Sequence, residues 1–211
     1  MNVDFKVTQL LVSRVCHDLA GGISALSTGS ELLLEENEAP DSDTLSLIAL
    51  SAKQTAHRLQ FLRVAFGSGG GEGGTVTTHA LAKLMSDFLE GGRVSLVWSE
   101  KNLRIDLASG KLLLNLCLIA AEALPRGGVV DVGVQALDAG LGFAVSATGE
   151  GASINAEVQA AIDVNVDVEN LTPRTVHGYF CTVLAAHTGA ELEIAPSGSG
   201  SVRLAALIPQ I

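Results

Sequence analysis

Ser13-Arg-Val-Cys-His-Asp-Leu-Ala-Gly-Gly-Ile-Ser24 is the stretch that decides how the first third of the chain folds. It lies inside residues 4–36, where Val12, Val15, Leu19, Ile23, Leu26 and Leu33 recur mainly at three- and four-residue steps. That spacing predicts the apolar stripe of one long amphipathic helix. Leu10, Arg14, His17, Gly21, Ser24, Thr28 and Glu31 fall on a second, largely polar row opposite the stripe. His17 is therefore predicted to face water, midway along the helix.

Working outward, residues 37–41 form a turn containing Pro40, and Asp41 or Ser42 can cap a second helix running to about residue 66. Leu45, Ile48, Ala52, Leu59 and Leu62 give it an apolar stripe of its own. Two helices joined by so short a turn lie antiparallel, and a lone hairpin cannot bury both stripes. A two-fold dimer forming a four-helix bundle is the expected solution; packing on the remainder of the same chain is the alternative. Gly67-Ser-Gly-Gly-Gly-Glu-Gly-Gly74 then reads as a flexible joint. It predicts a hairpin domain over 1–68 and a second domain over 75–211.

The second domain mixes both periodicities. Helices are predicted at 78–89, 111–124 and 174–187, and strands at 94–98, 103–107, 129–136, 142–147, 190–194 and 202–207. Residues 129–136 and 142–147 read as a hairpin pair, and the mixture of helices with antiparallel hairpins makes the class α+β with a two-layer α/β sandwich.

The 211 residues carry a formal net charge of -10, which argues against a nucleic-acid partner. Cys16, Cys117 and Cys181 form no C-x-x-C and read as reduced thiols. The opening MNVDFKVTQ lacks a basic start followed by an apolar run, and no apolar stretch reaches the roughly 20 residues of a membrane span. A cytoplasmic protein without membrane contact is expected.

Chemistry centres on His17. A neutral imidazole is a competent nucleophile near pH 7. Asp18 is placed to orient the ring or accept a proton, and Arg14 to screen the charge of a phosphoryl group. Gly21 and Gly22 each cost roughly 1 kcal/mol relative to Ala in a helix interior, which a close-approaching partner backbone would justify. Taken alone, an exposed histidine is more often idle. The acid and the glycines around it shift that balance.

His17-Asp-Leu-Ala-Gly-Gly-Ile23 resembles the phosphoacceptor box of histidine kinases, with Gly22 where that box has proline. The longer run Leu11-Val-Ser-Arg-Val-Cys-His-Asp-Leu19, Gly29-x-Glu-Leu-Leu33 and Leu112-Leu-Leu-Asn-Leu-Cys-Leu-Ile-Ala-Ala-Glu-Ala-Leu-Pro-Arg-Gly-Gly128 resemble ChpT-type histidine phosphotransferases. The resemblance implies a histidine-kinase-like ATPase (Bergerat) fold for the second domain. It also implies a phosphorelay intermediate. His17, with Asp18 and Arg14 beside it, would take a phosphoryl group from the receiver aspartate of a hybrid kinase and pass it to a response-regulator receiver. The Mg²⁺ would belong to the receiver, with no cofactor or metal held by this chain.

Where a kinase of this kind has two helix asparagines, Asn115 matches the first and Ile119 replaces the second. The nucleotide loop Ala147-Thr-Gly-Glu-Gly151 lacks its leading aspartate, and His177-Gly-Tyr-Phe-Cys181 replaces a glycine-rich phosphate segment. An ATP-dependent kinase is thus the weaker reading, as is a dimeric scaffold with an unused histidine. Leu19, Gly21, Gly22, Ser24, Arg58, Leu59, Leu62 and Arg63 are the expected receiver-docking residues. His177, Cys181 and His187 share a helix without the spacing of a metal site.

Overall fold

The computed structural model describes residues 4–35, 41–67, 74–98, 102–163, 165–196 and 200–210. The chain opens with α1 (Phe5–Glu35) and α2 (Ser42–Phe66), packed side by side as the predicted hairpin. Asp41 occupies the cap position of α2 but makes no side-chain cap bond. The rest of the turn, and residues 68–73 of the glycine run, lie outside the described residues.

Two glycines set the hairpin's register. A Cβ on Gly22 would fall 2.1 Å from Thr55 Oγ1, and one on Gly29 2.6 Å from Ile48 Cγ1. The helices approach this closely only because both positions lack side chains. The same pairs place Gln60 of α2 level with His17 of α1.

The second part comprises β1 (Thr75–Thr77), α3 (Thr78–Leu89), β2 (Val94–Trp98), β3 (Arg104–Asp106), α4 (Leu107–Glu122), β4 (Gly128–Leu137), β5 (Gly140–Thr148), α5 (Ala156–Ala161), α6 (Val176–Thr188), β6 (Glu191–Pro196) and β7 (Ser201–Pro209). Five strands form one sheet in the order β2-β4-β5-β7-β6, antiparallel except for the β2–β4 pair. Val130, Val132 and Val134 of β4, Phe143, Val145 and Ala147 of β5, and Val202, Leu204, Ala206 and Ile208 of β7 are buried at alternate positions. One sheet face is therefore covered by helices and the other is open to water.

β3 departs from expectation. Instead of joining the main sheet it pairs with β1, a strand the sequence did not announce, in a two-stranded ribbon. Asp106 then accepts from Ser109 N at 2.9 Å and caps α4, so α4 begins at Leu107 rather than residue 111. The short α5 was likewise not anticipated. Six residues are too few for a 3.6-residue period to stand out.

α4 is buried on every side from Leu112 to Ala120 and forms the spine of the molecule. It contacts the sheet through β5 and packs against α2, α3 and α6. The base of the hairpin joins this core: Phe61, Leu62 and Ala65 are buried, and Phe61 stacks on Phe88 with ring centroids 4.2 Å apart. Asn115 Nδ2 donates to Ala65 O at 3.1 Å and Lys111 Nζ to Gly67 O, so α4 satisfies carbonyls at the end of α2. The two sequence-predicted domains thus share one hydrophobic core, despite the glycine run between them. Among the described residues no helix is long and apolar enough to cross a membrane.

Candidate functional site

α1 carries His17 out of the hairpin with its side chain 83% exposed. α2 packs on the opposite flank of α1, where Val15, Gly22, Leu26 and Leu33 are partly buried. The long-helix period thus puts His17 where expected. Asp18 Oδ1 lies 3.4 Å from His17 Nδ1. A carboxylate only accepts, so this contact favours the tautomer with hydrogen on Nδ1 and the Nε2 lone pair directed outward.

Arg14 departs from its expected role. The polar row is not uniformly solvated: α1 also leans on the second part of the chain, leaving the Arg14 side chain only 11% exposed. Its Nε donates to Asp18 Oδ2 at 2.7 Å, its Nη1 to His177 Nδ1 at 3.1 Å, and its Nη2 to Glu122 Oε1. Each guanidinium nitrogen already has a partner, so Arg14 acts as a hub between helices rather than a free screen for a phosphoryl group. An apolar cluster of Val7, Ala161, Leu171 and Val176, with Leu10 and Leu11 against it, seats the start of α1 beside α6. Lys6 Nζ adds an ion pair to Glu169 at 2.6 Å.

Glu122 and His177 are the residues that sequence reasoning missed. His177 is fully buried, and its Nε2 lies 3.0 Å from Glu122 Oε2, within ion-pair range but off hydrogen-bond alignment. Burial pushes the Glu122 carboxyl up, yet His177 and Arg14 outweigh it and leave the group below its ordinary value of 4.5. Burial likewise opposes the charge on Arg14, and Glu122 and Asp18 more than offset it. Glu122 was visible only as an interruption of an apolar run, and a charge ending so buried a helix is the signal that points to a partner.

That depressed carboxyl makes the ion pair pH-dependent. A lowered folded-state value contributes stability above the unfolded value, and the contribution is lost as pH falls through the folded one. Wild type is expected to melt above Glu122→Gln at neutral pH, with the gap closing below pH 4.5. Thermal melts at several pH values check this, and a gap that widens on acidification would contradict it.

The expected docking residues divide by burial. Gly21, Ser24, Arg58, Leu59 and Arg63 are exposed, with the Arg58 guanidinium 5.6 Å from the Phe88 ring centroid. Leu62 is 2% exposed and belongs to the core, so it is removed from any docking surface. Leu19 is half-buried against the same core and supports the surface from below. Gly22 is turned toward Thr55, so its reason is helix packing within the hairpin. A Cβ at Gly21 would meet nothing within 4 Å. Gly21→Ala should therefore raise the melting temperature, gaining about 1 kcal/mol of helix propensity. Gly22→Ala should lower it, because Thr55 blocks the added methyl. Paired melts distinguish the positions, and equal shifts would contradict the assigned packing.

A cleft of about 730 Å³ opens beside His17 between α1 and the α4–α6 side of the second part. Ile119, Glu122, Asn155 and His177 line it together with Arg14 and Asp18. Ala147, where a kinase has its adenine-recognising aspartate, is buried within β5.

The family model for the histidine phosphotransferase C-terminal domain matches residues 78–200, more than half of the chain. Protein phosphotransferase ChpT of Brucella abortus (strain 2308) is 29% identical over 185 residues, covering 88% of each chain. A solved bacterial phosphotransferase superposes with a TM-score of 0.84 at 26% identity, covering 98% of both chains. The histidine kinase AdeS of Acinetobacter baumannii shares the fold at a TM-score of 0.51 and 10% identity, over 92% of this chain and 97% of its own. With the helical hairpin, the histidine-kinase-like sandwich and the family match in agreement, this chain belongs to the histidine phosphotransferases.

Proposed function

We propose that the chain is a phosphorelay intermediate that accepts a phosphoryl group on His17 from the receiver aspartate of a hybrid kinase and delivers it to a response-regulator receiver. The observation that carries this reading is the exposed imidazole with Asp18 against Nδ1. The Nε2 lone pair attacks phosphorus while the bond to the receiver carboxylate breaks, and the carboxylate leaves with the electron pair. The ring then carries phosphate on Nε2 and hydrogen on Nδ1, and Asp18 offsets its positive charge. The reverse steps load the second receiver. Mg²⁺ sits in the receiver in this reading.

Gly21 and Ser24 belong to the docking surface beside His17, and Gly21 leaves room for the receiver backbone. Two chains associate through their hairpins into a four-helix bundle. Nine of the large apolar side chains exposed among the described residues lie on α1 and α2, which supports this assembly. Val12, Ile23 and Leu34 share one flank of α1, and Leu45, Ala52 and Leu59 the corresponding flank of α2. At about 100° per residue both rows turn from the α1–α2 contact in the same sense, which puts them on one side of an antiparallel pair.

Ile119 and Ala147, both buried and apolar, favour a phosphotransferase over an ATP-dependent kinase. The test uses receiver domains from the same organism, phosphorylated with labelled acetyl phosphate. Label should move to this chain in an acid-labile, alkali-stable form, and ATP should leave the chain unlabelled. Self-labelling from ATP would instead establish the kinase reading.

A further inference from the structure

His177 poses a problem of chemistry. It is a polar ring, fully buried, at the start of α6, where an apolar side chain would cost nothing in desolvation. Its neighbours explain it. Arg14 has only donors, so His177 Nδ1 must accept, and the His177 proton resides on Nε2 toward Glu122. From there the contacts run unbroken along α1, through Arg14 Nε to Asp18 at 2.7 Å and Asp18 to His17 at 3.4 Å.

We infer that Glu122 and His177 are positioning residues for phosphoryl transfer, acting on His17 through Arg14 and Asp18. They hold the guanidinium in one place, the guanidinium holds one oxygen of Asp18, and the other oxygen fixes hydrogen on His17 Nδ1. Nε2 is thereby kept bare for attack. The second part of the chain contributes to the chemistry without touching the phosphate. The two ends of the relay lie on different elements, α1 on one side and α4 with α6 on the other, so the relay exists only while these are docked. This inference rests on the reading of His17 as the phosphoacceptor.

The charges facing Arg14 are Glu122 and Asp18, and the cleft adds Glu157 and Arg174. Arg14 is the cation that contacts both Asp18 and Glu122. Replacing Glu122 by Gln keeps the shape and removes half of the anchor. Replacing His177 by Leu removes the acceptor, whereas Gln restores an oxygen able to accept from Arg14.

Two measurements on the full chain test the relay. Long-range ¹H–¹⁵N correlation spectra of histidine-labelled protein should report hydrogen on Nδ1 of His17 in wild type and His177→Gln. They should report a shift toward the Nε2–H form in Glu122→Gln and His177→Leu. Transfer from a receiver phosphorylated with acetyl phosphate should lose about tenfold or more in kcat in the latter two, while KM for the receiver stays within about twofold, as expected of a misoriented acid–base pair. Unchanged His17 tautomer and kcat in Glu122→Gln would overturn the relay, even where His177→Leu fails to fold. Absence of transfer to wild type would refute the phosphoacceptor reading instead, and the spectra would still decide the relay.

Discussion

His17→Ala is expected to abolish transfer from a phosphorylated receiver, by about a thousandfold or more, while leaving the melting temperature within error of wild type. The two halves of this expectation have separate causes. In the proposed reaction the imidazole forms the bond to phosphorus, and its neighbours do not stand in for it: Asp18 is an anion engaged by Arg14, Ser13 and Ser24 are ordinary hydroxyls, and the exposed Cys16 thiol points about 100° away around the helix. The side chain itself is 83% exposed and makes one long contact at 3.4 Å. Substitutions at such positions usually change stability by less than about 0.5 kcal/mol. Label retained by the Ala variant would mean that another histidine accepts phosphate. Of the others, His177 is fully buried, and the His57 ring is already held by Asp87 O at 3.2 Å and Glu90 at 3.2 Å.

Much of this site was legible because one periodicity governs a 31-residue helix. Once the stripe of α1 is assigned, His17 has to point away from α2. α4 was legible for a related reason: an apolar run without a polar face has to be buried all round. What escaped was decided by contacts between distant segments. Arg14 and His17 share a row, so the pattern gives both the same exposure, and only the docking of α6 against α1 separates them. The pairing of Arg14 with Glu122 and His177 spans more than a hundred residues and leaves no local trace. Leu62 carries the helix period of α2 but reaches the core through the base of the hairpin, which a hairpin considered alone does not have. Gly22 and Gly21 look identical as neighbours in sequence, yet their directions differ by about 100°. One meets Thr55 and the other meets open space. Asn115 shows the reverse: a residue matched to a kinase metal-binding helix serves here to hold the end of α2.

The second large effect concerns assembly. Ile23→Lys combined with Leu45→Lys should convert the chain from dimer to monomer in light scattering or sedimentation. Ile23 is 55% exposed and Leu45 46% exposed, on the rows of α1 and α2 that share one side of the hairpin. Burying such a side chain is worth about 1.5–3 kcal/mol, and a two-fold interface counts each substitution twice. The charged ends also need water that a bundle core excludes. Together these terms exceed about 4 kcal/mol, enough to raise the dimer dissociation constant roughly a thousandfold. Both sites lie above the base of the hairpin, where Phe61, Leu62 and Ala65 enter the core, so the monomer should keep its fold. The relay from His177 to His17 runs within one chain, so the monomer should also retain the His17 tautomer. If wild type sediments as a monomer at working concentration, the apolar side of the hairpin has some other occupant and the four-helix bundle is wrong. If the double variant stays dimeric, the interface lies elsewhere on the molecule.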